Sequence, residues 1–335
     1  EADWLGESDR RAIEALSANG SMHELRLDPL TDADVRTFIY AHYPNINLDD
    51  FLLNAEENGI NQLLYNPQTL HLIAKIVDSG NWPNSRQSVY EQSCCILVAE
   101  NNVEHIPATD ANNIFGQEDK LDAAGYICAT LLLSGHVGYT IVPNTDSSST
   151  ALANIPGMLE IHRSVLRTGL FASDGVERIP IHRSIAEFLG AKFIAKRLHD
   201  RAVSFVRVET LMRGTEHGYP SDLRGLAAWL ATLGPEIART KIIERDPLGV
   251  VLYGDVRLFA ESDKRRIFDS LQTKAQNNPL FRTSERSSTP FGALCTSGLS
   301  AFFIEMLKKS SIEESDQIVL ECVLDTIRHG KREAW

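Results

Sequence analysis

The chain has 335 residues, a net charge of −12 and an apolar fraction of 43%. That length predicts two or three units rather than one core, and the apolar content is ample to bury them. The acidic balance argues against coating nucleic acid or lying on anionic membranes, because the summed field repels polyanions unless a local basic patch overrides it.

The first stretch reads as short helices. Asp28-Pro29-Leu30-Thr31 leads into a helix capped by Thr31, with Val35, Phe38 and Ile39 inward. Asn66-Pro67 is the sharpest local signal: an N-cap asparagine and a proline at the first helical position, then Leu70, Ile73, Ala74 and Val77 on one face. Gly80 and Pro83 stop that helix, and another follows from Ser85 to Glu100 through Val89, Tyr90, Ser93, Cys94 and Leu97. Asn101 to Glu118 is polar, contains Pro107 and reads as a linker.

Beyond it, Leu121 to Leu133 is a helix, Pro143 to Thr150 a loop, and Pro156 opens a helix with Met158, Ile161, Val165 and Leu166 apolar. Two short strands come next, Leu170 to Ala172 and Val176 to Ile181, joined by the turn Ser173-Asp174-Gly175. Helices followed by such a hairpin make a winged-helix pattern. From about Val206 the chain is helical again. Leu223, Leu226, Ala227, Leu230 and Leu233 define one helix, Gly234-Pro235 breaks it, and Ile237 to Ile243 starts its partner. Asp246-Pro247 and Gly254-Asp255 punctuate the next unit, with further helices at Ile267 and Leu271 and at Ile318 to Ile327. Successive antiparallel helix pairs predict an α-solenoid.

The stretch Arg178 to Leu198, RIPIHRSIAEFLGAKFIAKRL, carries the most chemistry. Ser184 and Glu187 match the S-x-x-E capping box, and Ile185, Phe188, Leu189, Ala191, Ala195 and Leu198 form one apolar face. This pattern puts His182 just outside the start of a docked helix. Backbone amides and the helix dipole make such a place hospitable to an anion, and an imidazole there can bond to a phosphate oxygen. His71 and His162 read as ordinary surface positions on helices. Ser184, His182 and Asp174 hold the residue types of a hydrolase triad, but no G-x-S-x-G elbow accompanies them. Arg163, Arg167, Arg178 and Arg183 cluster around the hairpin and fit phosphate contacts of a DNA-binding winged helix, against an acidic chain and a helix that also carries Glu160.

The five cysteines, Cys94, Cys95, Cys128, Cys295 and Cys322, contain no C-x-x-C pair, so neither a zinc site nor a disulfide framework is expected. They read as buried thiols of a reducing cytoplasm. No apolar run of about 18 residues and no charged-then-apolar leader gives a basis for a membrane span or export signal. Both ends read as internal to a longer protein.

The order of these pieces resembles the part of a NACHT-type signal-transduction NTPase, of the STAND class of AAA+-like ATPases, that follows its nucleotide-hydrolysing core. Glu1-Ala2-Asp3-Trp4 looks like the tail of that core, Leu27 to Ile76 is similar to the family's first helical subdomain, and RIPIHRSIAEFLGAKFIAKRL resembles its winged-helix phosphate-contact motif. The resemblance implies that Pro67 packs against adenine and that His182 bonds to the β-phosphate of ADP. It also implies ADP or ATP with Mg²⁺ in the longer protein, oligomerisation on activation and, in bacterial members, defence against phage. The family's G-x-x-x-x-G-K-[ST] loop is absent, since the Gly-Lys pair Gly330-Lys331 is followed by Arg332. This chain is therefore expected to be regulatory, with no catalytic residues, no metal ligands and no tightly held nucleotide of its own.

The expected fold is mostly α: residues 1–24 the tail of a truncated NTPase core, 25–105 a helical subdomain, 119–202 a winged-helix domain with a small β-hairpin, and 205–335 a truncated HEAT-like α-solenoid. The expected function is the regulatory and sensor portion of a cytoplasmic switch, its partners the missing core and an unknown trigger on the repeats. The alternative is a non-enzymatic scaffold or DNA-binding adaptor.

Overall fold

Side chains placed just before helices decide where several of them begin. In the computed structural model, which describes residues 29–58, 60–99, 115–136, 138–140, 150–151, 160–174, 177–214, 218–278, 281–282, 288–308 and 314–330, Thr31 starts α1 (Asp32–His42) with a capping box. Its hydroxyl accepts the Asp34 amide at 3.3 Å and the Asp34 carboxylate accepts the Thr31 amide at 2.8 Å. Asn47 and Asn66 each accept two first-turn amides, of α2 (Leu48–Glu57) and α3 (Pro67–Asp78). Ser85 accepts the Ser88 amide at 3.0 Å at the head of α4 (Arg86–Ala99). Val35, Ile39, Leu70, Ile73, Ala74, Val89, Tyr90 and Cys94 are buried as their spacing predicts, and Gly80, at φ 87°, ends α3.

The next group is α5 (Gln117–Ser134), β1 (Tyr139–Thr140), β2 (Thr150–Ala151), α6 (Glu160–Val165), β3 (Phe171–Asp174), β4 (Glu177–Pro180) and α7 (Arg183–His199). The sheet runs β2-β1-β4-β3. β1 is parallel to β2 and antiparallel to β4, and β3 and β4 form an antiparallel hairpin with Phe171 opposite Pro180. α7 starts earlier than its S-x-x-E pattern predicts, as detailed below.

α5 and α7 cross closely because each offers a glycine. A Cβ on Gly125 would stand 2.8 Å from both the Leu189 carbonyl oxygen and Phe193 Cβ, and one on Gly190 would stand 3.2 Å from the Ala129 amide nitrogen. On its other side α7 packs against α9 (Arg224–Leu233). Phe188 of α7, Tyr90 of α4 and Trp229 of α9 meet there with ring centroids 5.0 to 5.6 Å apart, all buried. Such tilted and edge-on aromatic pairs add about 1 kcal/mol each beyond the area they bury.

The remaining helices are α8 (Phe205–Met212), α10 (Glu236–Arg245), α11 (Pro247–Tyr253), α12 (Glu261–Asn277), α13 (Ser300–Lys308) and α14 (Glu314–His329). α9 packs on α10 and α11, these on α12, and α12 on α14. Asp246 caps α11 through the Gly249 amide and receives Arg224 Nε at 2.6 Å and Lys274 Nζ at 3.4 Å. Burial raises the Asp246 carboxyl, but Arg224, Lys274 and the amide outweigh it and hold the group below the usual carboxylate range.

The described residues are thus mostly helical with one small sheet, and none of their helices is long and apolar enough to cross a membrane. The expected core tail at 1–24, most of the linker, the loop at 143–149 and the helix start at Pro156 lie outside the described residues. The cysteines are free. Cys94, Cys128 and Cys322 are buried as expected, whereas Cys95 and Cys295 are half-buried. Burial pushes the Cys128 thiol up to about 12, which keeps it protonated.

Gly125→Val forces a branched side chain into the α5–α7 crossing and is expected to cost about 1–3 kcal/mol, read as a lower urea midpoint. Asp246→Ala strands the Arg224 guanidinium and is expected to cost about 3–5 kcal/mol at neutral pH. Because the folded carboxyl titrates below its unfolded value, wild type loses this contribution as pH falls through that depressed value. The two proteins should converge in urea unfolding at acid pH and stay apart at pH near 7.

Candidate functional site

β4 runs into α7 through Ile181 and His182. His182 keeps extended backbone, φ −147° and ψ 141°, and so becomes the N-cap residue of α7, without a side-chain capping bond. The expected capping box of Ser184 and Glu187 does not form. With the cap at His182, Ser184 lies in the first turn and Glu187 in the second, out of reach of the groups a box would join.

Ser184 is engaged with α3 instead. The side-chain amide of Gln68 donates to its hydroxyl across 116 residues of sequence. Gln68 follows Pro67, the exposed first residue of α3, and its backbone amide is held by the Asn66 side chain at 3.0 Å. The starts of α3 and α7 therefore lie side by side. The structure brings Pro67's helix start next to the start that His182 caps, as an arrangement of two elements that no sequence spacing encodes.

His71, one turn into α3, lies close enough to His182 for their charges to repel. The half-buried His182 imidazole is held below the usual histidine value, first by burial and then by His71. His71 is exposed, and its Nδ1 lies 3.0 Å from the Tyr43 hydroxyl, with the Tyr43 and Phe38 rings 5.9 and 6.3 Å from the imidazole. Gln68, His71 and Tyr43 were not among the candidates from sequence. For Gln68 the usable signal is its place beside the helix-start proline.

Arg183 and Glu187 join α7 to α9. Arg183 Nε donates to Glu187 Oε1 at 3.0 Å, and another guanidinium nitrogen donates to the Asp222 carbonyl, just before α9. The Glu187 carboxylate, 12% exposed, lies where a Cβ on Gly225 would stand, against the first turn of α9. Burial raises its pKa and Arg183 opposes that rise. A carboxylate over a helix start is favoured by the dipole, so Glu187 fastens two helices together.

Three other expectations meet the structure here. His162 is 8% exposed and stands edge-on to Tyr126 at 5.2 Å, which corrects its assignment to the surface. A six-residue helix is too short to show a buried face by spacing. Arg163 and Arg167 are exposed, while Arg178 donates to the neighbouring Glu177 carbonyl at 2.8 Å. Ser184 is bonded to an amide rather than to an imidazole base, as a nucleophile would require.

Among the described residues no group of three or more His, Cys, Asp or Glu side chains could hold a metal ion. What the structure brings together is the half-buried His182 imidazole at the start of α7 and the exposed Pro67 at the start of α3. No protein-family model and no curated protein matches the chain.

Proton NMR of the histidine ring resonances should give His182 a midpoint below about 6.5. His71→Gln should raise that midpoint only part of the way, because burial is the larger cause. In stability terms the folded state favours neutral His182, so its contribution is present above the ordinary value and is lost as pH falls from there through the depressed folded value.

Proposed function

We propose that this chain is the regulatory and sensor portion of a nucleotide-dependent switch of the NACHT type, closing over ADP or ATP held mainly by a separate hydrolysing core. The observation that carries the reading is the juxtaposition of Pro67's helix start with the His182 cap, through Gln68 and Ser184. In this reading Pro67 packs against the adenine ring and the His182 imidazole bonds to a phosphate oxygen.

The order α5, β1, α6, β3, β4, with β1 paired to β4, supports a winged helix as the unit that presents His182. The stepwise packing of α9 to α12 and α14 supports a helical-repeat sensor behind it. The chain has no phosphate-binding loop of its own, so its residues hold and report the nucleotide, and the core with Mg²⁺ would supply hydrolysis. ADP would favour the closed state by binding it more tightly than the open one. A trigger on the repeats, with oligomerisation, would favour the open state. Antiphage defence is the setting that the resemblance to bacterial proteins offers.

In the protein that includes the core, His182→Ala is expected to weaken ADP about tenfold, the worth of one good hydrogen bond to a charged acceptor. Pro67→Ala should have a smaller effect on ADP and none on inorganic pyrophosphate, which lacks a base. Unchanged ADP affinity in His182→Ala, measured by calorimetry, overturns the assignment. So does salt-sensitive binding of duplex DNA through Arg163 and Arg167, with no response to nucleotide.

A further inference from the structure

The first turn of α4 and the end of α11 cap one another. Arg86, the first residue of α4, donates to the Leu252 carbonyl at 2.7 Å and to the Gly254 carbonyl at 3.4 Å. Carbonyls at a helix C-terminus lack intrahelical donors and favour a cation. In return Asp255, just beyond α11, accepts the Gln87 amide at 2.7 Å, one of the unpaired first-turn donors of α4. The positive start of one helix thus faces the negative end of another, with each side chain serving the other helix.

The turn between them is tightly built. The Asp255 amide donates to Thr232 Oγ1 of α9 at 3.1 Å, and a Cβ on Gly254 would stand 2.8 Å from the Val250 carbonyl and 3.0 Å from the Ala228 carbonyl. A little further on, Arg257 donates to the Asn58 carbonyl at the end of α2 at 2.5 Å. One turn of the C-terminal helices therefore grips two helices of the N-terminal group, through bonds spanning 166 to 199 residues of sequence.

This junction is costly for a core contact. Asp255 is 4% exposed, and Arg86 Nε is buried without a hydrogen-bond partner. Burial raises the Asp255 carboxyl, against the Gln87 amide, the Arg86 and Arg257 charges and the Arg257 amide. A buried polar seam that is only partly satisfied stabilises less than apolar packing of the same size. Losing one cap leaves its helix end unpaired and the other cap holding the junction alone, so the two caps should open together.

We propose that the 252–257 turn is a releasable latch, by which the C-terminal helices hold the 29–99 helices closed and so keep the start of α3 beside His182. What the latch would regulate rests on the nucleotide reading above, but the latch itself does not, and its test uses no nucleotide.

Hydrogen exchange on this chain should show Asp255→Ala raising exchange at the Gln87 and Ser88 amides about tenfold, the effect of losing a helix cap. Exchange should rise with it at the end of α2, while α12 and α14 stay protected. The His182 NMR midpoint should also move up as His71 withdraws, which loss of a cap alone would not cause. Asp255→Asn keeps an accepting oxygen and should retain wild-type protection. Unchanged exchange at residues 86–90 overturns the proposal, and so does an equal rise throughout the molecule. If Asp255→Ala does not fold, Arg257→Ala reads the same coupling from the junction's other bond. It should raise exchange at the start of α4 as well as at the end of α2, and a rise confined to α2 overturns the latch.

Discussion

The close crossing of α5 and α7 sets the rest of the molecule. Leu189 and Phe193 of α7 approach the backbone of Gly125 with no room for a Cβ, and Gly190 approaches Ala129 in the same way from the other helix. Interiors are packed too densely for one such contact to loosen alone, so α7 is fixed in rotation as well as in distance. Its buried face then meets Tyr90 and Trp229, which fixes α4 and α9 around it. A helix held along its length has a well-placed first residue, and that residue follows His182.

Charged groups in the interior serve a different purpose from the apolar ones. Asp246 has Arg224, Lys274 and a helix amide, and is fully provided for. Glu187 has Arg183 and the start of α9, and its raised pKa shows that burial still outweighs them. Burial likewise outweighs the groups around Asp255, and Arg86 beside it keeps one guanidinium nitrogen without a partner. Asp246 thus stabilises a fixed structure, while the two caps at Arg86 and Asp255 are good enough to select one arrangement and poor enough to release it. Those caps lie where the N-terminal and C-terminal helices meet. Asp246 and its partners lie within the C-terminal helices themselves.

Local chemistry made much of the fold legible. Thr31, Asn66 and Ser85 act within three residues of themselves, so their helix starts could be read directly. The face of α7 was equally clear because its apolar residues repeat over a 17-residue helix. The capping box failed because the same residues satisfy two frames. S-x-x-E describes Ser184 and Glu187, but the strand before them stays extended through His182, and that backbone decides where the helix starts. Glu187 then found Arg183 one turn back. Asn47 caps α2 by the same local chemistry, without a proline beside it to sharpen the signal. Gln68 with Ser184, Arg86 with the Leu252 carbonyl and Asp255 with the Gln87 amide were beyond reading, since nothing local to any of these residues refers to its partner.

The site inherits this division. Each half is written locally, Pro67 by its asparagine cap and His182 by the end of its strand, yet neither half makes a site alone. Their meeting depends on α3 keeping its place against α7, and the polar bond between the two starts is that of Gln68 to Ser184. A single neutral hydrogen bond contributes about 1 kcal/mol, too little to hold two helix groups against thermal motion. The larger restraint must come from contacts further along the 29–99 helices, including Tyr90 in the aromatic trio and the caps at Arg86 and Gln87. The geometry at His182 is thereby made sensitive to a junction remote from it in sequence. A change among the C-terminal helices can reach His182 through that junction without touching either helix start directly.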